Sequence, residues 1–112
     1  MVVDDLSDEQ IDLIFRSLAD ATRRDIVKRT LVAEVSVSGL AEDYDMSFAA
    51  VQKHVAVLES AGLVTKHQYG RERRVRANLA TIHQAQALLD QYEQIWKERI
   101  TQLDALLAED DQ

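Results

Sequence analysis

The chain has 112 residues, a net charge of −7 and no cysteine, which leaves room for one compact domain of modest core and excludes disulfides, thiolate metal sites and cysteine nucleophiles. No basic-then-apolar signal pattern opens it and no apolar run nears the ~18 residues of a membrane span, so a cytoplasmic, soluble protein with no membrane partner is expected. The acidic balance argues, taken alone, against a nucleic-acid partner.

In chain order, Ser7 and Gln10 have the spacing of a capping box, and Ile11, Ile14, Phe15 and Leu18 mark a first helix with one apolar stripe. Asp20 caps a second helix in which Ile26, Val27, Thr30 and Leu31 face inward while Arg23, Arg24, Lys28 and Arg29 point outward. Glu34 to Ser38 reads as a connection. Val37, Leu40, Ala41 and Tyr44 then give a short third helix at i, i+3, i+4, i+7 spacing.

Ser47 is a natural N-cap for a fourth helix over residues 47–61, and Gly62 is placed to end it. Val51, Val55 and Leu58 form its buried stripe, while Ala49, Gln52, Lys53, Ala56 and Ser60 leave the opposite edge bare, with Ala50 at its border. Large side chains would hold such an edge away from another surface; these allow close approach and offer one amide and one ammonium. A short helix, a tight turn and a second helix with an accessible face form a helix-turn-helix.

Leu63 to Gln68 and Arg73 to Leu79 are strand-like, with Tyr69, Gly70, Arg71 and Glu72 as the hairpin tip. Alternation places Arg74 and Arg76 on one side of this wing, residues 69–76, and Arg73 on the other, and arginine here suits phosphate contact or entry into a narrow minor groove. Over residues 47–79, Lys53, Lys66, Arg71, Arg73, Arg74 and Arg76 outnumber Glu59 and Glu72, whereas both ends of the chain are acidic. A basic middle on an acidic body suits a polyanion held in one orientation.

From about residue 82 to 107 the sequence lacks glycine and proline, a helix of roughly 26 residues. Ala85, Leu89, Tyr92, Trp96, Ile100, Leu103 and Leu107 make one stripe, broadened by Leu88, Ile95 and Leu106. One small core cannot cover so much apolar surface, so a subunit interface is inferred, with Leu89, Tyr92, Trp96, Ile100 and Leu103 in it and the two aromatics as anchors. The competing possibility is that the stripe closes the monomer's own core. Residues 109–112 read as a frayed acidic tail. The fold expected is mainly α with a small β-hairpin wing: a single winged helix-turn-helix domain over 1–112, five helices in the order α-α-α-α-β-β-α, core 8–79.

With these elements in order, LADATRR (18–24), SGLAEDYDMSFAAVQKHVAVLESAGLV (38–64) and GRERR (70–74) resemble the ArsR/SmtB family of winged helix-turn-helix repressors over about residues 10–79. The resemblance implies a homodimer on an inverted repeat of double-stranded DNA, with a recognition helix in each of two successive major grooves. Carried over by position, Ser47, Ala49, Ala50, Gln52, Lys53 and His54 match the recognition helix, and Arg71, Arg73 and Arg74 the wing. Ala21 stands where proline is usual, and Gln52 where serine is common; glutamine can bond adenine N6 and N7 together.

Metal-responsive members often carry a Cys-Val-Cys pattern near the third helix, and here Ser36 and Ser38 take those places. Serine is a poor ligand for soft metals, and His54, His67 and His83 fall in three separate elements, so no metal and no cofactor is expected. A cross-subunit histidine site would be the exception. No glycine-rich phosphate loop, nucleophile elbow or HExxH pattern occurs, which argues against an enzyme. Two functions follow: a DNA-binding transcription regulator of the repressor type, or a winged-helix dimerisation or adaptor module without DNA binding. An effector, whether an organic ligand beside the last helix or a partner protein, is not named by any residue pattern.

Overall fold

The computed structural model describes residues 6–110, in the order α1 (Asp8–Leu18), α2 (Ala21–Val32), β1 (Val35–Ser36), α3 (Val37–Asp43), α4 (Phe48–Ser60), β2 (Val64–Tyr69), β3 (Glu72–Ala77) and α5 (Leu79–Asp110). Five helices and a small antiparallel sheet make a winged helix-turn-helix. The order differs from the expected one by a strand: β1, read as part of a connection, pairs with β3, and the sheet runs β1-β3-β2. Two residues are too few to show an alternation of their own.

Local chemistry sets the helix ends. The Ser7 hydroxyl accepts from the Gln10 backbone N–H at 3.2 Å while the Gln10 side chain accepts from Ser7 N–H at 3.0 Å, completing the capping box of α1. Asp20, Ser36 and Ser47 cap α2, α3 and α4 in the same way through Arg23, Gly39 and Ala50. α4 ends in a Schellman motif. The Gly62 N–H donates to the Glu59 carbonyl and Leu63 N–H to the Leu58 carbonyl, with Gly62 at φ 76° and both leucines buried beneath.

The core gathers Ile14, Ile26, Leu40, Val51, Val55, Leu58, Leu63, Val64 and Val75, with Val27, Val37 and Ala85 around them. Thr30 is buried too, its hydroxyl donating to the Ile26 and Val27 carbonyls within α2. Two expected core residues lie outside. Leu31 is 50% exposed and Phe15 36%, because each sits one position past the arc that the compact core covers; the inward faces of α1 and α2 are narrower than their apolar patterns.

The hairpin joins β2 and β3 with Tyr69 opposite Glu72, leaving Gly70 and Arg71 as a two-residue loop. Gly70 takes φ 61°, the positive angle that the first central residue of a II′ turn requires. α5 starts earlier and ends later than expected, and Glu109 and Asp110 belong to it rather than to a frayed tail; residues 111 and 112 lie outside the described part. Only its first turns, through Thr81, Ile82 and Ala85, pack on the core. From Leu89 to Glu109 every residue is exposed. The radius of gyration is therefore 19.7 Å, against about 13 Å for a compact chain of this length.

Candidate nucleic-acid interface

α4 is held from behind and left open in front. Val51, Val55 and Leu58 are buried against the core, while Ala49, Gln52, Lys53, Ala56 and Ser60 are exposed and Ala50 is half-buried at the border. Ser47 spends its hydroxyl on the cap, which fixes the first turn of the helix at the end where free backbone N–H groups point outward. Lys53 makes no salt bridge among the described residues. The turn into α4 is tied to α2: the Tyr44 hydroxyl bonds Asp25, and Arg29 lies over the Tyr44 ring while pairing with Asp43. Burial and the bond to Asp25 hold the Tyr44 phenol above its ordinary pKa.

His54 points elsewhere. Its Nδ1 lies 3.3 Å from the Arg23 guanidinium and 3.9 Å from Asp20. Because arginine only donates, Nδ1 must accept, which puts the neutral ring's proton on Nε2. Arg23 itself bonds the Ser17 and Arg16 carbonyls at the end of α1, and Arg24 the Leu18 carbonyl. So two cations expected to extend outward instead satisfy the end of a neighbouring helix, where positive charge is favoured. The chain brings Ser47, Ala49, Ala50, Gln52 and Lys53 onto one accessible edge and turns His54 back toward α1 and α2.

The wing splits as strand alternation predicts. Arg73 is on the inner side, its Nε 3.3 Å from the Gln68 side chain, and it lines a cleft of about 360 Å³ with Glu59, Lys66, His67 and Gln68. A smaller hollow joins Arg73 and Lys66 to Gln52 of α4. Lys66, bridged to Glu59 at 3.2 Å, was not singled out as a site residue from the sequence; its place follows from the strand register, which sets it opposite the buried Val75. Arg71 stands exposed at the tip. On the outer side, Arg74 pairs with Glu72 at 2.6 Å and lies over the Tyr69 ring, and Arg76 pairs with Glu34 at 2.7 Å. These carboxylates raise both guanidinium pKa values, Glu72 acting chiefly on Arg74 and Glu34 on Arg76.

One exposed residue beside the bare edge had no sequence signal. Phe48, the first residue of α4, stands one turn before the buried Val51 and two before Val55, yet its ring is 46% exposed.

A protein-family model described as "Bacterial regulatory protein, arsR family" matches residues 20–66, from the α2 cap into β2. The HTH-type transcriptional regulator Rv2034 of Mycobacterium tuberculosis is 40% identical over 62 residues, covering 55% of this chain and 58% of that protein. The crystal structure of an ArsR family transcriptional regulator superposes with a TM-score of 0.78 at 31% identity, covering 83% of this chain and 96% of the other. The chain belongs to the ArsR family. A Mycobacterium bovis domain, Mb0332, described as a homodimeric winged helix-turn-helix DNA-binding domain, shares the fold at 19% identity, with a TM-score of 0.63 over 83% of this chain and 91% of that one. Fold and relatives are those of transcriptional regulators and not of enzymes.

Within this ArsR-family chain, Ser36 and Ser38 have separate fates. Ser36 caps α3 and Ser38 is exposed. His67 bonds the Thr65 hydroxyl at 2.9 Å, and among the described residues no three His, Asp or Glu side chains converge on a point. The hollow between α1, the end of α4 and the start of α5, lined by Leu13, Ile14, Ala61 and Thr81 among others, measures about 160 Å³, below the ~300 Å³ at which small-molecule sites begin. No helix among the described residues is long and apolar enough to cross a membrane.

Proposed function

We propose that this chain is a transcription regulator of the repressor type that binds an inverted-repeat operator as a homodimer in the cytoplasm. The observation that carries this reading is the front edge of α4: small residues, one amide and one ammonium that makes no salt bridge among the described residues, exposed beside a basic hairpin. Ala49, Ala50 and Ala56 let the helix backbone approach the major-groove floor, Gln52 and Lys53 read base edges, and Phe48 adds apolar contact. Ser47 and the first-turn N–H groups, with Arg71 and Arg73, hold phosphates and set register. His54 acts by orienting α4 through Arg23.

The bare length of α5 supports dimerisation. Tyr92 and Trp96 are 59% and 60% exposed, and a second copy laid along Leu89, Tyr92, Trp96, Ile100 and Leu103 would cover them. Mb0332, which shares the fold, is described as homodimeric.

The deciding experiment selects bound sites from random duplex DNA and then measures affinity by fluorescence anisotropy at fixed salt. A recovered palindrome is expected, and Gln52→Ala should relax preference at one position per half-site by about 1–3 kcal/mol. No retention of duplex DNA at low salt would instead favour a dimerisation module without DNA binding.

A further inference from the structure

Glu34 has no part in the DNA reading above, yet it occupies a built position. The register that pairs Val35 with Val75 and Ser36 with Arg74 continues one step to set residue 34 across from Arg76. There the carboxylate accepts from Arg76 Nε at 2.9 Å and lies 2.7 Å from Nη2, and its other oxygen is 3.9 Å from the Arg74 guanidinium. Its side chain is 22% exposed, against 43% and 52% for the arginines. Glu72 and the Tyr69 ring complete the group on Arg74, at 2.6 Å and 4.4 Å. Two of the wing's four arginines are thus neutralised from inside the chain, Arg76 by Glu34, which stands just before β1, and Arg74 by Glu72 with Glu34 behind it.

Resting on the DNA-binding reading, we propose that Glu34 is a built-in competitor of DNA phosphate at the wing, which lowers affinity for arbitrary sequence and so raises the ratio of specific to non-specific binding. A phosphate approaching Arg74 or Arg76 must displace a carboxylate already in hydrogen-bond contact. The exchange trades one anion for another and gains little, whereas Arg71 and Arg73 pair with no carboxylate among the described residues. Non-specific binding rests almost wholly on phosphate contacts, so it is the mode that this competition weakens most. Base-edge contacts from α4 are untouched.

Glu34→Gln keeps the shape of the side chain and removes its charge. The variant is expected to bind a scrambled duplex about five- to tenfold more tightly than wild type. Its plot of log affinity against log salt should steepen by about 0.9 for each guanidinium that reaches a phosphate. It should also elute later from immobilised heparin. Asp12→Asn, the same charge change on an exposed face of α1, controls for net charge, and Glu34→Gln in an Arg74→Gln/Arg76→Gln background should gain nothing over that control. A variant that binds no tighter than Asp12→Asn, or a gain that persists without the two arginines, overturns the proposal. If the wild type retains no duplex at all, the DNA reading falls, and heparin elution of the same variants still decides the competition. Should Glu34→Gln fail to fold by circular dichroism, Arg76→Gln alone decides: a salt slope that hardly changes supports the competitor, and a loss of about 0.9 overturns it.

Discussion

Asp20 shows how much one side chain can do at a helix start. Its carboxylate accepts the Arg23 backbone N–H at 3.0 Å and lies beside the Arg23 guanidinium and His54. The backbone bond chiefly, then the charge of Arg23, hold its pKa below the ordinary value. A carboxyl depressed in the folded state stabilises it above the unfolded pKa of about 3.9 and loses that contribution as pH falls through the folded value. Asp20→Asn keeps a capping oxygen without the charge. Melting curves between pH 2 and 7 should show wild type the more stable of the two above about pH 4, with the gap closing at lower pH. The Asp20 cap was legible from the sequence because capping is local. That Arg23 turns back to α1 and His54 was not, since its partners on α1 and α4 belong to helices whose packing the sequence does not state.

At the scale of elements, the same division recurs. Four helices of the core, the hairpin and Gly70 at its tip announce themselves through periodicity and turn chemistry. β1 does not, being two residues long and defined only by its pairing to β3. The exposure of Leu31 has a related cause: a helix shows its apolar residues in sequence, but the width of the arc that is covered depends on what packs there. The Schellman end of α4 gives a test. Gly62→Ala forces a non-glycine residue into φ 76° and places a Cβ 3.3 Å from the Thr81 hydroxyl, so it should lower stability by about 1–2 kcal/mol, seen as a reduced urea midpoint at constant slope. Gly70→Ala meets the same backbone penalty with open space around it, and should lower the midpoint less.

For the whole molecule, the question is what covers α5. The apolar stripe was legible in the sequence, and along the outer two-thirds of the helix the described residues leave it exposed. Trp96→Asp with Ile100→Asp should leave the helical signal of the core intact, because neither residue is buried within the chain. Sedimentation is expected to show the wild type as a dimer and the double variant as a monomer at the same concentration. Operator affinity should fall with it, since two half-sites must be held at once.

The joint at the base of α5 then acquires a meaning of its own. Asn78 is fastened by its N–H to the Leu63 carbonyl just past the end of α4, and Thr81 and Ala85 seat the first turns. Beyond them α5 is a rod without lateral support among the described residues. In a dimer built along that rod, the separation of the two reading edges is set by the angle at this one joint, as the opening of a pair of calipers is set at its pivot. A small rotation at Asn78 changes which half-site spacing fits, without altering a single group that touches DNA.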